Sequence, residues 1–502
     1  MRSYVTPWLP RWFAAAVAAI TVLLGSAAAA EGAAGVLYIR GGGDGHGVGM
    51  SQYGAYGYAL HGKDYRFILA HYYQGTALGA ADPSQTVRVL LADGAAAFSA
   101  ATQAQGTLLS APGAPKPKTQ PTSKALAPTT TYHVLATANG SLTLYSQSGT
   151  EIGRFAAPLT ITGPGPLNVS GLGSYRGSLE LRPDGSGGVE TINALDLEDY
   201  VRGVIGAEMP PSWASQALEA QAVAARTFAI TVDVGGAGFD LYPDTRSQMY
   251  LGVAAETPST DAAVAATRGQ IVTYRGAPVM TYFFSSSGGA TENIENVWPG
   301  ASSEPWLRGV PDPYDGAGGN PDYRWQHELS VSGAAAKLGG LVKGTLIGIR
   351  VTRHGFSPRI VTAQVVGSKG AASVTGGALQ QLFGLPSTYA SFTTIRTAAG
   401  VAVPVSHAAS SSPRAPALAR AVTALMTAVG ELVADAVPAL QGSVFPARKG
   451  DPLAIQKAVR GGWRTIADTR LRAGGSYDVA LPGAGSYRVV YAGLRGPAVS
   501  VR

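Results

Sequence analysis

The stretch that most constrains this chain runs from Leu197 to Ile230, LEDYVRGVIGAEMPPSWASQALEAQAVAARTFAI. Leu197, Tyr200, Val201, Val204 and Ile205 keep helical spacing, and a second helix is predicted from about Trp213 to Ile230 behind a Ser212 N-cap. Between them stands Glu208-Met209-Pro210-Pro211. A proline excludes the helical region for the residue before it, so Met209 is expected to be extended and the turn holding Glu208 stiff. The second helix carries alanine on several faces, which permits very close packing.

Around this pair the periodicity is that of strands. TYHVLATANGSLTLYS places two alternating runs about Asn139-Gly140, and SLELRPDG with GVETIN closes over Pro183-Asp184-Gly185, so both read as hairpins. The expected class is α+β, a mixed helical and antiparallel-sheet body over residues 35–402 with a small C-terminal all-β sandwich. At 502 residues the chain has room for two or three domains. A Pro-rich insertion is read at 110–130, a Pro- and Ser-rich linker at 403–416, an amphipathic helix at 417–440 with its stripe beginning at Leu418, and the sandwich at 441–502.

Residues 1–30 carry Arg2 and Arg11, then nineteen uncharged residues ending in SAAAA before Glu31. They read as a signal peptide cleaved near Ala30, or, if retained, as a single membrane anchor. Either reading makes the body extracytoplasmic, secreted or cell-wall associated. The chain has no cysteine, so its cores and not disulfides must hold it together. Lys and Arg exceed Asp and Glu by seven, an excess suited to an anionic polymer such as cell wall. No basic run interleaved with aromatics supports nucleic acid.

Few groups in this body are reactive. GDGHGVGMSQYGAYGYA, Gly43 to Ala59, contains no G-x-G-x-x-G, and Gly57 to Lys63 fits a phosphate loop only until Asp64, where a hydroxyl is needed. His46 has no second ligand at metal spacing. On spacing alone the run is a Gly-rich turn into a helix from about Ser51 to Leu60, with Tyr53, Tyr56 and Ala59 on its buried face. The serines of FFSSSGGATEN lack a nucleophile elbow, and His327 and His354 sit in turn-rich polar sequence. Glu208 differs: a carboxyl on a stiff turn beside Met209, two prolines and Trp213 is in surroundings that raise its pKa, as a general acid requires, although by itself it also reads as a surface Glu.

EDYVRGVIGAEMPPSWASQALEAQAVAARTFAI, ETPSTDAAVAATRGQIVTYRGAPVMTYFFSSSGGATENIENVW and PWLRGVPDPYD closely resemble the stage II sporulation protein D (SpoIID) and LytB family. GHGVGMSQYGAYGYA and KDYRFILAHYYQGT match the same family's closing motif, and the resemblance covers roughly Gly35 to Thr397. It implies a lytic transglycosylase acting on peptidoglycan glycan strands stripped of stem peptides, with the catalytic acid at Glu208. It implies no cofactor, and no metal, because the zinc-site cysteines of some relatives are missing. Gln221 and Arg226 are implied to orient the acid or meet substrate, Ser286, Ser287 and Glu292 to contact sugar, and Gln248 more weakly. An ion pair for Arg226 and loop filler for the serines stay open as rival readings.

The closing motif stands ahead of the strand VRVLLADG, so the unit reads as circularly permuted. The motif is then expected beside a sheet formed by the strand from Val87 and Ile349 to Val351, with its glycines as a thin wall of the Glu208 groove. His46 and Gln52 would hold sugar or orient the acid. The LytB name implies a rival role, a non-catalytic wall-binding protein that enhances a partner amidase.

Overall fold

The computed structural model describes residues 34–94, 96–109, 121–232, 234, 238–402 and 437–501. The signal segment, the 403–416 linker and residues 417–436 of the expected amphipathic helix lie outside them. The described residues form two units, a larger one of residues 42–324 with 355–359 and a smaller one of 34–41, 325–354, 360–402 and 437–501. Helices and antiparallel sheets occur together, as the α+β reading expects.

In the larger unit an eleven-stranded sheet carries both predicted hairpins. Tyr132–Ala136 pairs with Ser141–Ser146, with Gly140 at φ +76° in the turn, and Ser178–Pro183 pairs with Val189–Asp196. The Pro-rich insertion is part strand: Pro121–Ala125 pairs with Gln103–Leu108. Val189–Asp196 also pairs with Thr86–Gly94 and runs straight into the helix Leu197–Glu208. Glu198 and Asp199 occupy that helix's first turn, where the helix dipole favours negative charge.

The alanine-rich helix is Ser215–Thr231. It starts two residues later than the sequence suggested, with Ala214 at the N-cap in place of Ser212, because Pro210 and Pro211 lead into a turn that includes Trp213. Ala217, Ala220, Ala222, Ala224, Ala225 and Ala229 are all buried on it. Its neighbours therefore pack against backbone, and the helix becomes the centre of the larger core with Tyr200, Val204, Ile68 and Tyr72 around it.

The smaller unit corrects the expected domain boundary. Ala34–Gly41 pairs with Ala390–Ala402, and Ala390–Ala402 pairs in turn with Val437–Phe445, so strands from both sides of the linker share one five-stranded sheet. Residues 437–440 are strand, not helix. Alternation gives this sheet two buried faces. Val36, Tyr38 and Ile395 join Leu440, Leu453, Tyr487 and Val489 in one core, while Leu37, Ile39 and Phe392 join Leu338, Ile349, Val365 and Leu379 in another. The C-terminal sandwich is thus completed by strands that the sequence assigned to the body. Ile349 lies in Leu346–His354, which pairs with Ile360–Gly367 in this unit, whereas Val87 belongs to the larger unit's sheet. The single sheet expected to contain both does not form.

Candidate functional site

A cleft of about 440 Å³ opens in the larger unit, and Glu208, Gln52, His46 and Asp44 all line it. The helix Leu197–Glu208 delivers Glu208 as its last residue. Met209 follows at φ −129° and ψ 142°, the extended geometry imposed by Pro210. Gly203 sets the helix's other contact: a Cβ there would overlap the ring of Tyr250, so the segment after Gln248 lies flat along the helix. Leu251 N–H donates to Gly203 C=O at 3.0 Å, and Met249 N–H reaches Glu208 Oε1 at 2.8 Å. Gln248 is buried behind it, accepting from Tyr200 O–H at 2.8 Å and donating to Ala225 C=O at 3.4 Å, so it supports this segment and does not face the cleft.

Glu208 Oε2 accepts from Gln52 Nε2 at 3.2 Å. Gln52 opens the helix Gln52–Leu60, whose N-cap Ser51 accepts from Gly54 N–H and donates to the buried Asp315 at 2.6 Å. The helix buries Gly54, Ala55 and Tyr58, with Tyr53, Tyr56 and Ala59 only partly covered, a rotation from the expected face. Burial raises the Glu208 pKa above the ordinary glutamate value, and the Met249 and Gln52 donors oppose this only in part. No cation pairs with Glu208 among the described residues.

Gly43, Gly45, Gly47 and Gly49 all have φ between +76° and +93°, so the run before Gln52 depends on glycine at alternate positions. His46 lies within it, partly buried, with Nδ1 accepting from Val48 N–H at 3.0 Å and Nε2–H donating to Phe283 C=O at 3.1 Å. Burial and the nearby Arg359 push its pKa down to about 4. Both nitrogens are engaged by backbone, so His46 presents its ring and no free nitrogen to the cleft. The cleft is also lined by aromatic residues, Phe228, Tyr282, Phe283, Phe284 and Trp298, with the Trp298 ring 5.1 Å from that of His46. Thr245, Arg246 and Ser247 complete the lining, Arg246 being paired with Asp244 at 2.8 Å.

The remaining expected site residues lie elsewhere. Arg226 is fully buried in a bidentate ion pair with Glu198, both contacts 2.8 Å, and caps Gln270 C=O at 3.0 Å. The ion-pair reading is the one observed, in the core and not on the surface. Gln221 is fully buried on the alanine helix with both amide atoms lacking a protein partner, and it does not line the cleft. Ser286 and Ser287 are fully buried donors to Asp315 and Asp312, each at 2.8 Å. Glu292 is filled by Phe356 N–H, Ser357 N–H and Ser357 O–H, which bind the Gly355–Arg359 excursion to this unit. These serines and Glu292 build the wall behind the cleft and contact no solvent that a sugar could replace. Asp44, Arg246 and Trp298 were missed, since nothing in a single sequence marks which polar residue of a loop turns inward. Among the described residues no group of three or more His, Asp or Glu could hold a metal ion.

The sequence model of the stage II sporulation protein family matches residues 185–274, the segment with Glu208, Arg226 and Gln248. Stage II sporulation protein D of Bacillus subtilis (strain 168) is 32% identical over 216 residues, covering 39% of this chain and 60% of that protein. The amidase enhancer of the same organism is 33% identical over 191 residues, 33% of this chain and 25% of that protein. An uncharacterised protein of Brachyspira hyodysenteriae is 37% identical over 163 residues, 32% of this chain and 43% of that protein. The chain thus spans between a quarter and three fifths of the length of these relatives. By the segment that carries Glu208 on its helix end, the chain is similar to the SpoIID and amidase enhancer proteins.

Proposed function

We propose that this is an exported cell-wall protein whose cleft cuts peptidoglycan glycan strands by lytic transglycosylation. The observation that carries the reading is Glu208: a desolvated carboxyl in an open cleft, held by two neutral donors and by no cation among the described residues, and so able to keep a proton and then release it. In the first step Glu208 O–H gives its proton to the glycosidic oxygen as the bond from that oxygen to the MurNAc anomeric carbon breaks. In the second, the 6-hydroxyl oxygen of the same MurNAc closes onto the anomeric carbon and the Glu208 carboxylate takes the hydroxyl proton. The acid is regenerated, no water is consumed, and a 1,6-anhydro sugar results. One carboxyl suffices, unlike the pair used by ordinary glycoside hydrolases. The aromatic wall supplies flat apolar surface for sugar rings.

Purified chain incubated with peptide-free glycan strands is expected to release anhydro-sugar products. Glu208→Gln keeps the size and one acceptor oxygen for Met249 N–H but cannot donate and recover a proton, and should lose at least about a hundredfold in rate. The amidase enhancer similarity supports a second reading, a glycan-binding protein that stimulates a cell-wall amidase without cutting. Glycan binding with no anhydro product, and stimulation of an amidase undiminished by Glu208→Gln, would decide for it.

A further inference from the structure

We propose that Asp44 is a second sugar-binding group of the Glu208 cleft, its carboxylate accepting the N–H of a 2-acetamido group. This rests on the glycan-binding reading above and names what the cleft reads in its sugar.

Asp44 lines the same cleft as Glu208. Its backbone is fixed without help from its side chain: Asp44 N–H donates to Ser286 C=O at 2.8 Å, and Ser286 N–H returns a bond to Asp44 C=O at 3.0 Å. Ser286 is itself anchored to Asp315. The carboxylate is therefore presented by a rigid support and is not needed to build it.

The buried acids of this unit show how Asp44 differs. Glu198 takes both ends of the Arg226 guanidinium and Gly269 N–H, Glu292 takes five donors, and Asp315 takes Ser51, Ser286, Ser287 and Gly288. Among the described residues, Asp44 has only the N–H of its own neighbour, Gly45. The charges near it do not fill the gap: Asp322 repels it, and the Arg359 guanidinium donates to Gly45 C=O at 2.9 Å and to Ser286 C=O. A partly desolvated carboxylate with open lone pairs is unfavourable until a donor arrives.

The surroundings select the donor. Beside Asp44 the His46 ring lies 5.3 Å from Phe284 and 5.1 Å from Trp298, an apolar surface with no free nitrogen. An acceptor next to an aromatic patch matches an acetamido group, which offers one N–H and one methyl. A plain sugar keeps a hydroxyl donor but has no methyl, so only the acetamido group engages acceptor and patch together.

The test is calorimetric binding to the full chain carrying Glu208→Gln, which prevents turnover. The probes are β-1,4-linked N-acetylglucosamine tetramer, cellotetraose, its 2-hydroxyl counterpart, and glucosamine tetramer, its 2-ammonium counterpart. The parent is expected to prefer the acetamido tetramer by about tenfold or more, the size of one hydrogen bond to a charged acceptor. Asp44→Ala should reduce the preference by weakening the acetamido ligand more than its hydroxyl counterpart. Asp44→Asn, nearly isosteric and still an acceptor through Oδ1, should keep part of it with an unchanged melting temperature. A preference that survives both substitutions overturns the assignment to Asp44 while leaving the glycan reading intact. So does stronger parent binding of the glucosamine tetramer, whose ammonium would mark a cation site. A parent that binds none of the tetramers overturns this inference and the glycan reading together.

Discussion

Glu208 has one oxygen on Met249 N–H and the other on Gln52, and this fixes the sign of its pH behaviour. Burial disfavours the charged form and raises the pKa, while each donor favours the charged form and lowers it. The first step of the proposed reaction uses the protonated acid, so kcat/KM should fall as pH rises through the Glu208 pKa. Gln52→Ala removes a donor to the carboxylate, so the pKa rises further and the alkaline limb moves to higher pH. The same change loosens the acid's orientation and should cost roughly tenfold to a hundredfold in kcat/KM. A pH–rate profile measures both, and a limb that moves to lower pH would show that Gln52 does not act through this hydrogen bond.

At the scale of elements, the helix Leu197–Glu208 is tied at its start to Ser215–Thr231 by Glu198 and Arg226, and at its end it holds the acid. Arg226→Met leaves the Glu198 carboxylate buried without its cation and should cost about 3–5 kcal/mol, read from denaturant unfolding. Pairing it with Glu198→Leu should recover most of that loss, because an apolar pair carries no desolvation penalty. Both helices were legible in the sequence because Leu197, Tyr200, Val201, Val204 and Ile205 repeat with the helical period and Pro210 marks the break. Glu208 was legible through the same proline. The role of Arg226 was not, because its partner lies on another helix, and spacing within a helix says nothing about a contact across two. Ser286, Ser287 and Glu292 look like an exposed polar loop in sequence; what buries them is Asp312, Asp315 and Ser357, residues that periodicity does not connect to them. Gln52 was legible as a member of the glycine-rich motif, and its contact with Glu208 joins segments far apart in the chain.

For the whole molecule, the sheet that joins Ala34–Gly41, Ala390–Ala402 and Val437–Phe445 decides where the chain can be cut. Composition suggested a boundary at the Pro- and Ser-rich stretch after Val403, but strand pairing crosses it. Ending the chain at residue 402 removes the partner of Ala390–Ala402 and uncovers Val36, Tyr38 and Ile395, so the product should be insoluble or bind a hydrophobic dye. Soluble product with the parent's melting temperature would restore the boundary at the linker. The same pairing governs the order of assembly. Val36 sits opposite Ile395, and Ile395 opposite Val444, so the earliest described strand waits for two strands made after the whole larger unit. During synthesis from the N-terminus the larger unit can build its sheet and helix pair inside a loop that has not yet closed. Closing so long a loop adds little entropic cost at equilibrium but slows the final step, and until Val437–Phe445 is made the edge of Ala390–Ala402 stands open to pairing with other chains. The hazard in this architecture is therefore one of timing: a pause in synthesis before Val437 threatens the protein more than heat applied once the sheet is complete.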